Sequence, residues 1–329
     1  MHSLTKAAAI LPLWAGLVWS QAQFPPAPPP PPAVDELPTF RSETNLVTLH
    51  VSVLDKNDHL ITDIPKSAFR VFENDQEQEI RLFQREDVPV SMCILIDSSG
   101  SMRDKHASVV AAALALVRAS NPDDEVCFVN FNDEAYIDQD FTSNVDKLEE
   151  AMSRIDSRGG TAMRAAVSGA MDWVTQKGKH DKKVLVVVSD GNDNASGDNP
   201  SLEDLVRKVR GSEVVIYLIG LLNDEVRSEA RKAQRALEEL AESSGGVDYY
   251  PKNLEEVKEI TPQIAREIRN QYILAYRPTN EALDGSYRRI KVEVKGVRNV
   301  ENVRTRTGYY AGSAASAKPA ESNAFAGEK

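Results

Sequence analysis

Cysteine is nearly absent from this chain. Cys93 and Cys127 are the only two in 329 residues, with five histidines scattered along the rest. So thin a supply of thiolates and imidazoles argues against a structural zinc site. Both cysteines sit inside apolar, strand-like runs, so buried free thiols are the expectation. An export compartment would permit a disulfide, but two mid-strand positions are not obviously placed for one. Positive charge is also in short supply: 39 Lys and Arg stand against 50 Asp and Glu, a net charge of −11. A phosphate-binding surface needs a basic stripe, and none is visible, so no nucleic acid partner is expected. The acidity reads as solubility rather than steering of a partner. Past the first two dozen residues no run is long and apolar enough to span a membrane, so the mature chain should carry no transmembrane segment. No Gly-x-Ser-x-Gly elbow, phosphate loop or His-Glu-x-x-His pattern stands out either, and the chain is not read as an enzyme.

What is present begins with a targeting signal. Lys6 supplies a positive start, Ala7 to Trp19 a short apolar core, and Ser20-Gln21-Ala22 the small residues a signal peptidase requires. Residues 1–22 are therefore expected to be a signal peptide cleaved after Ala22, with an uncleaved anchor as the alternative. The protein should be exported, to the periplasm, the cell surface or the extracellular space. Residues 23–40 form a proline-rich linker, whose run from Phe24 to Val34 favours an extended polyproline II spacer. Residues 312–329, rich in alanine, serine, lysine and glycine, read as a disordered tail.

Between these ends the chain is 41% hydrophobic and 27% charged overall, which suits one large or two modest domains. Residues 41–88 read as β: Val47, Leu49, Val51 and Val53 alternate with polar neighbours, and Asn74-Asp75 marks a turn. Residues 89–270 alternate strand and helix. Met92–Ile96 is a continuous apolar strand, buried on both faces; Val126–Phe131 and Val184–Val188 are further buried strands, and Val214–Ile219 is another strand. Tyr136-Ile137 is a short candidate edge strand. Helices are expected after each main strand, one opening at Thr161 and one capped by Ser201 with Asp204. The last begins at Asn253 and meets Pro262, where it either kinks or gives way to a second helix. Residues 271–311 return to β. The fold class is thus α/β, a doubly wound, mostly parallel sheet, with a small β-sandwich around it. The two β segments make one discontinuous sandwich or two separate small units.

Ligands of doubly wound sheets bind beyond the carboxyl ends of the strands. Asp97 and Asp190 each lie at such an end. Asp97, Ser99 and Ser101 alternate along one loop, with Gly100 expected to let the backbone turn without a Cβ clash. Thr161 follows Gly159-Gly160 and opens a helix. Together Asp97, Ser99, Ser101, Thr161 and Asp190 offer two carboxylates and three hydroxyls, all hard oxygen donors. Such a set favours Mg²⁺, with Mn²⁺ or Ca²⁺ possible, over zinc or copper. Five donors that do not fill the shell leave room for water or an outside ligand, and an acidic group from a partner would complete it.

With those residues in hand, residues 89 to about 270 resemble a von Willebrand factor type A domain. Asp97-Ser98-Ser99-Gly100-Ser101 matches its Asp-x-Ser-x-Ser motif, Thr161 its threonine and Asp190 its aspartate. The resemblance implies a complete metal-ion-dependent adhesion site. In that site the serines and threonine ligate metal directly or by turns, the aspartates bind directly or through water, and a partner carboxylate takes the remaining position. The flanking strands and the Gly308-Tyr309-Tyr310 ending resemble a group of exported bacterial proteins that carry this domain in the middle. The expected function is metal-dependent capture of a protein or other acidic ligand outside the cytoplasm. The alternatives are a structural part of an envelope assembly, with metal serving stability only, and more remotely a Mg²⁺-dependent hydrolase.

Overall fold

The structure is a computed structural model that describes residues 46–85, 87–190, 193–222 and 227–312. The expected signal peptide, linker and tail beyond Gly312 lie outside the described residues. No helix among the described residues is long and apolar enough to cross a membrane.

A six-stranded sheet forms the centre. Its strands are β5 (Val90–Asp97), β6 (Glu125–Phe131), β7 (Ala135–Thr142), β8 (Lys182–Ser189), β9 (Val215–Gly220) and β10 (Asp248–Tyr249), in the order β10-β9-β8-β5-β6-β7. All neighbours pair in parallel except β7, which runs antiparallel along one edge. Every residue of β5 is buried, because helices cover both faces. Met92, Ile94 and Ile96 face α1 (His106–Ala119), α2 (Val145–Ser153) and α6 (Leu254–Arg269). Cys93 and Leu95 face α3 (Met163–Lys177), α4 (Leu202–Arg210) and α5 (Arg227–Ser244). The period-2 alternation therefore sends successive apolar side chains into two separate cores. The chain leaves β5 toward β6 on one side and later returns to β8 on the other. That reversal makes the carboxyl end of β5 the crevice of the sheet.

Around this unit two antiparallel sheets share one apolar core. β1 (Val47–Leu54), β4 (Ile80–Gln84), β11 (Tyr272–Tyr276) and β13 (Asn302–Arg304) order as β13-β1-β11-β4. β2 (Phe69–Glu73), β3 (Gln76–Gln78), β12 (Tyr287–Val294) and β14 (Gly308–Tyr310) order as β14-β12-β2-β3. Each sheet takes strands from both sides of the α/β region, and Leu49, Val51, Phe69, Val71, Leu274 and Val292 pack in one cluster. Neither segment could cover its own apolar face alone. The outer side of β1 meets the α/β region: the Ser52 hydroxyl donates to Glu267 Oε1 at 2.8 Å and Arg304 Nη2 donates to Glu267 Oε2 at 3.0 Å.

Several local expectations are corrected. Cys93 and Cys127 are not free thiols; they form a disulfide. They are register partners on neighbouring parallel strands, so both side chains point to the same face. Their Cα atoms lie 4.6 Å apart, within reach of a bond. The edge strand β7 has eight residues, not two. Helix α2 was not anticipated. Asn144 caps it by accepting from the Asp146 and Lys147 N–H groups, yet only Leu148, Ala151 and Met152 are buried, too short a stripe to stand out. α3 begins at Met163, two residues beyond Thr161. Pro262 lies inside one continuous α6, capped at Asn253 through the Glu256 N–H.

Candidate metal centre

Asp97 closes β5, and Asp190 follows the last residue of β8. Because Ile96 pairs with Val188, the next residues, Asp97 and Ser189, also lie side by side. The Ser189 hydroxyl donates to Asp97 Oδ2 at 2.6 Å, and the Ser99 N–H donates to Asp97 Oδ1 at 2.9 Å. Ser99 and Ser101 hydroxyls are 3.0 Å apart, and the Ser101 hydroxyl donates to Asp190 Oδ2. Asp97, Ser99, Thr161 and Asp190 are buried, whereas Gly100 and Ser101 are exposed. The cluster is therefore open over Gly100-Ser101.

The loop that carries Thr161 is tied to the loop after β5 by its backbone. The Gly100 N–H donates to the Gly159 carbonyl at 3.1 Å, and the Arg158 N–H to the Ser98 carbonyl at 2.8 Å. On the far side, the Thr161 N–H donates to Asn194 Oδ1 at 2.9 Å, and its carbonyl accepts from the Asn194 and Ala195 N–H groups. Three loops, after β5, before α3 and after β8, are thus stitched into one surface.

The electrostatics of this surface are unbalanced. Burial, and next the charge of Asp190, push the Asp97 carboxyl up to about 6. Asp190 Oδ1 is buried and has no hydrogen-bond partner among the described residues, an expensive state for a carboxylate oxygen. A cation among these oxygens would satisfy Oδ1 and reverse the mutual repulsion. Among the described residues no group of three or more His, Cys, Asp and Glu gathers as a metal site. The candidate set instead joins two carboxylates to three hydroxyls, a chemistry that suits a hard divalent cation.

Gly100 does not carry the role expected of it. A Cβ there would meet only the Gly159 carbonyl oxygen, at an ordinary 3.6 Å. The constrained glycines are in the other loop. Gly159 has φ +76°, and a Cβ on it would collide with the Asp133 carboxylate. A Cβ on Gly160 would lie 2.6 Å from Asn194 Oδ1 and 2.8 Å from Asp133 Oδ1. Sequence reasoning missed Asp133 and Asn194, and it missed Ser189 as the partner of Asp97. It also missed the Arg164–Asp193 ion pair, at 3.1 Å, that ties the loop after β8 to α3. The signal available was slight: polar turn residues following two buried strands.

The family model for the von Willebrand factor type A domain matches residues 92–192. This segment thus matches the von Willebrand factor type A domain family. The matched stretch contains Asp97, Ser99, Ser101, Thr161 and Asp190. Solved structures of type A and related domains resemble this one at low identity. One is an aerotolerance-related membrane protein from Bacteroides fragilis, 19% identical over 54% of this chain and 98% of that one, with a TM-score of 0.45. Another is the domain of a type V pilus tip protein from Porphyromonas gingivalis, 14% identical over 56% of this chain and 97% of that one, with a TM-score of 0.45. A third, a von Willebrand factor type A protein from Catenulispora acidiphila, is 13% identical over 83% of this chain and 74% of that one, with a TM-score of 0.46. No curated protein matches the chain.

Proposed function

We propose that this protein is a metal-dependent binding module that captures a protein or other acidic ligand outside the cytoplasm. The observation that carries the reading is Asp190 Oδ1, buried without a hydrogen-bond partner among the described residues, beside a second buried carboxylate and a pair of serine hydroxyls. Asp97, Ser99, Ser101, Thr161 and Asp190 would hold Mg²⁺, or else Mn²⁺ or Ca²⁺. When bound, the cation supplies a positive centre with positions left for water or an outside carboxylate. Exposure of Gly100 and Ser101 gives that carboxylate its approach. The buried Cys93–Cys127 disulfide supports an oxidising, exported setting. Binding rather than catalysis fits the donors, since Asp97 already accepts hydrogen bonds on both oxygens and is poorly free to act as base or nucleophile.

The test is thermal unfolding of the protein and of Asp190→Ala, with Mg²⁺, Mn²⁺ or Ca²⁺ and with chelator. A cation at a hundredfold over its dissociation constant adds about 2.7 kcal/mol, which raises Tm by roughly 5–10 °C for a domain of this size. The shift should vanish in Asp190→Ala. Capture of envelope or secreted proteins that needs the same cation, and is lost in the same variant, would complete the case. A Tm shift with metal-blind capture would favour the structural, envelope-assembly reading. No shift with any of the three ions would sink the metal site.

A further inference from the structure

Asp133 lies on the turn between β6 and β7 and is exposed, yet its carboxylate is set down on the loop before α3. The Gly160 N–H donates to Asp133 Oδ1 at 2.9 Å. Two residues on, the Ala162 N–H donates to the Asn132 carbonyl at 2.6 Å. Thr161 is therefore bracketed on both sides by the β6–β7 turn, while its own N–H and carbonyl are held by Asn194 and Ala195. The carboxylate also occupies the space over Gly159 and Gly160 that a Cβ would need. The pair of glycines before Thr161 thus accommodates a side chain 26 and 27 residues earlier in the chain. Nothing in the hairpin itself requires this aspartate: the Asn132 N–H closes the turn on the Glu134 carbonyl at 2.9 Å.

We infer that Asp133 is a positioning residue for the metal site: it fixes the loop that presents Thr161, and does so by reach rather than by charge. The inference rests on the reading of the site given above. Groups one step removed from metal ligands typically change affinity by about 10–100-fold when removed. Asp133 acts through backbone, so its oxygen acceptor and its length matter, and its negative charge does not.

Mn²⁺ titration of the full chain, followed by the paramagnetic resonance of free and bound ion, separates these contributions. Asp133→Ala removes the acceptor and should weaken Mn²⁺ binding about tenfold. Asp133→Asn keeps the acceptor and the reach while losing the charge, and should bind within about twofold of the parent protein. Asp133→Glu keeps the charge but adds a methylene that displaces the loop, and should weaken binding like the alanine variant. That third variant serves where Asp133→Ala does not fold. Equal affinity in Asp133→Ala or Asp133→Glu and the parent overturns the inference. So does an Asp133→Asn as weak as Asp133→Ala, because the charge would then be acting on the ion. If the parent protein binds no Mn²⁺, the reading of the site itself fails, and the positioning role falls with it.

Discussion

Glu73 in the β-sandwich and the Asp97–Asp190 pair in the α/β domain are both buried carboxylate centres, built on opposite plans. Glu73 Oε1 accepts from Arg288 Nη1 at 3.1 Å, and its Oε2 accepts the hydroxyls of Tyr276 and Tyr309, each at 2.8 Å. The side chains of Arg288 and Glu73 are 2% and 3% exposed, so the pair is desolvated, and both Glu73 oxygens are supplied from within the chain. Arg288 also donates to the Asn280 and Ala282 carbonyls. At the other centre two carboxylates approach each other with hydroxyl and N–H donors, and among the described residues no cationic side chain is a hydrogen-bond partner and one oxygen is without one. A centre that brings its own counter-charge is there to hold the fold. The one that omits it is where the proposed cation would supply the counter-charge.

Removing one half of the self-sufficient centre gives the largest expected effect. Glu73→Ala would leave the Arg288 guanidinium and two tyrosine hydroxyls buried without their acceptor, at a cost of about 3–5 kcal/mol. Denaturant unfolding should show this loss equally with Mg²⁺ and with chelator. A loss that depends on metal would break the comparison, since it would tie the sandwich to the metal site.

A pH profile separates the two centres next. The folded-state pKa of Asp97 is raised to about 6 from 3.8, so the fold favours its protonated form. That contribution is fully present below pH 3.8, the unfolded value, and is lost as pH rises through 6. Metal-free protein should therefore gain up to about 3 kcal/mol from this group on acidification across that window. Asp124, Glu213 and Glu267, all raised by burial, add in the same direction. Asp97→Asn should remove the Asp97 share and flatten the profile in chelator. Saturating Mg²⁺ should reverse the slope, because protons then compete with the ion. Identical profiles for Asp97→Asn and the parent in chelator would mean that Asp97 is not the strained group.

The two centres were also unequally legible in the sequence. Asp97 and Asp190 stand where apolar runs stop, so their placement at the carboxyl ends of strands follows from local pattern alone. β5 and β8 read as strands because burial on both faces leaves a continuous apolar run. Glu73 and Arg288 lie 215 residues apart, and nothing local marks either as buried. The same limit hid the Cys93–Cys127 bond, whose partners meet only through the register of β5 on β6 across the intervening α1. It hid Asp133 as well, since its target glycines come after another strand and helix. Contacts within one loop could be read; contacts fixed by register between distant elements could not.

Ser101 offers the smallest change in stability and the sharpest separation of fold from binding. It is exposed, so Ser101→Ala creates no cavity, and loss of its hydrogen bond to Asp190 Oδ2 should lower chelator-treated stability by about 1 kcal/mol. Yet its hydroxyl touches both Ser99 Oγ and Asp190 Oδ2, which places it among the proposed donors at the open side of the site. Loss of one neutral oxygen donor of a divalent ion should cost about 1.4 kcal/mol or more of ion binding, a factor of about ten. Isothermal titration with Mg²⁺ or Mn²⁺ reads that factor, and unfolding in chelator reads the stability. If Ser101→Ala unfolds more readily without metal and binds the ion as before, Ser101 belongs with Glu73, as a group that holds the fold. If ion binding falls, the bare oxygen of Asp190 and the exposed serine beside it are two sides of one opening.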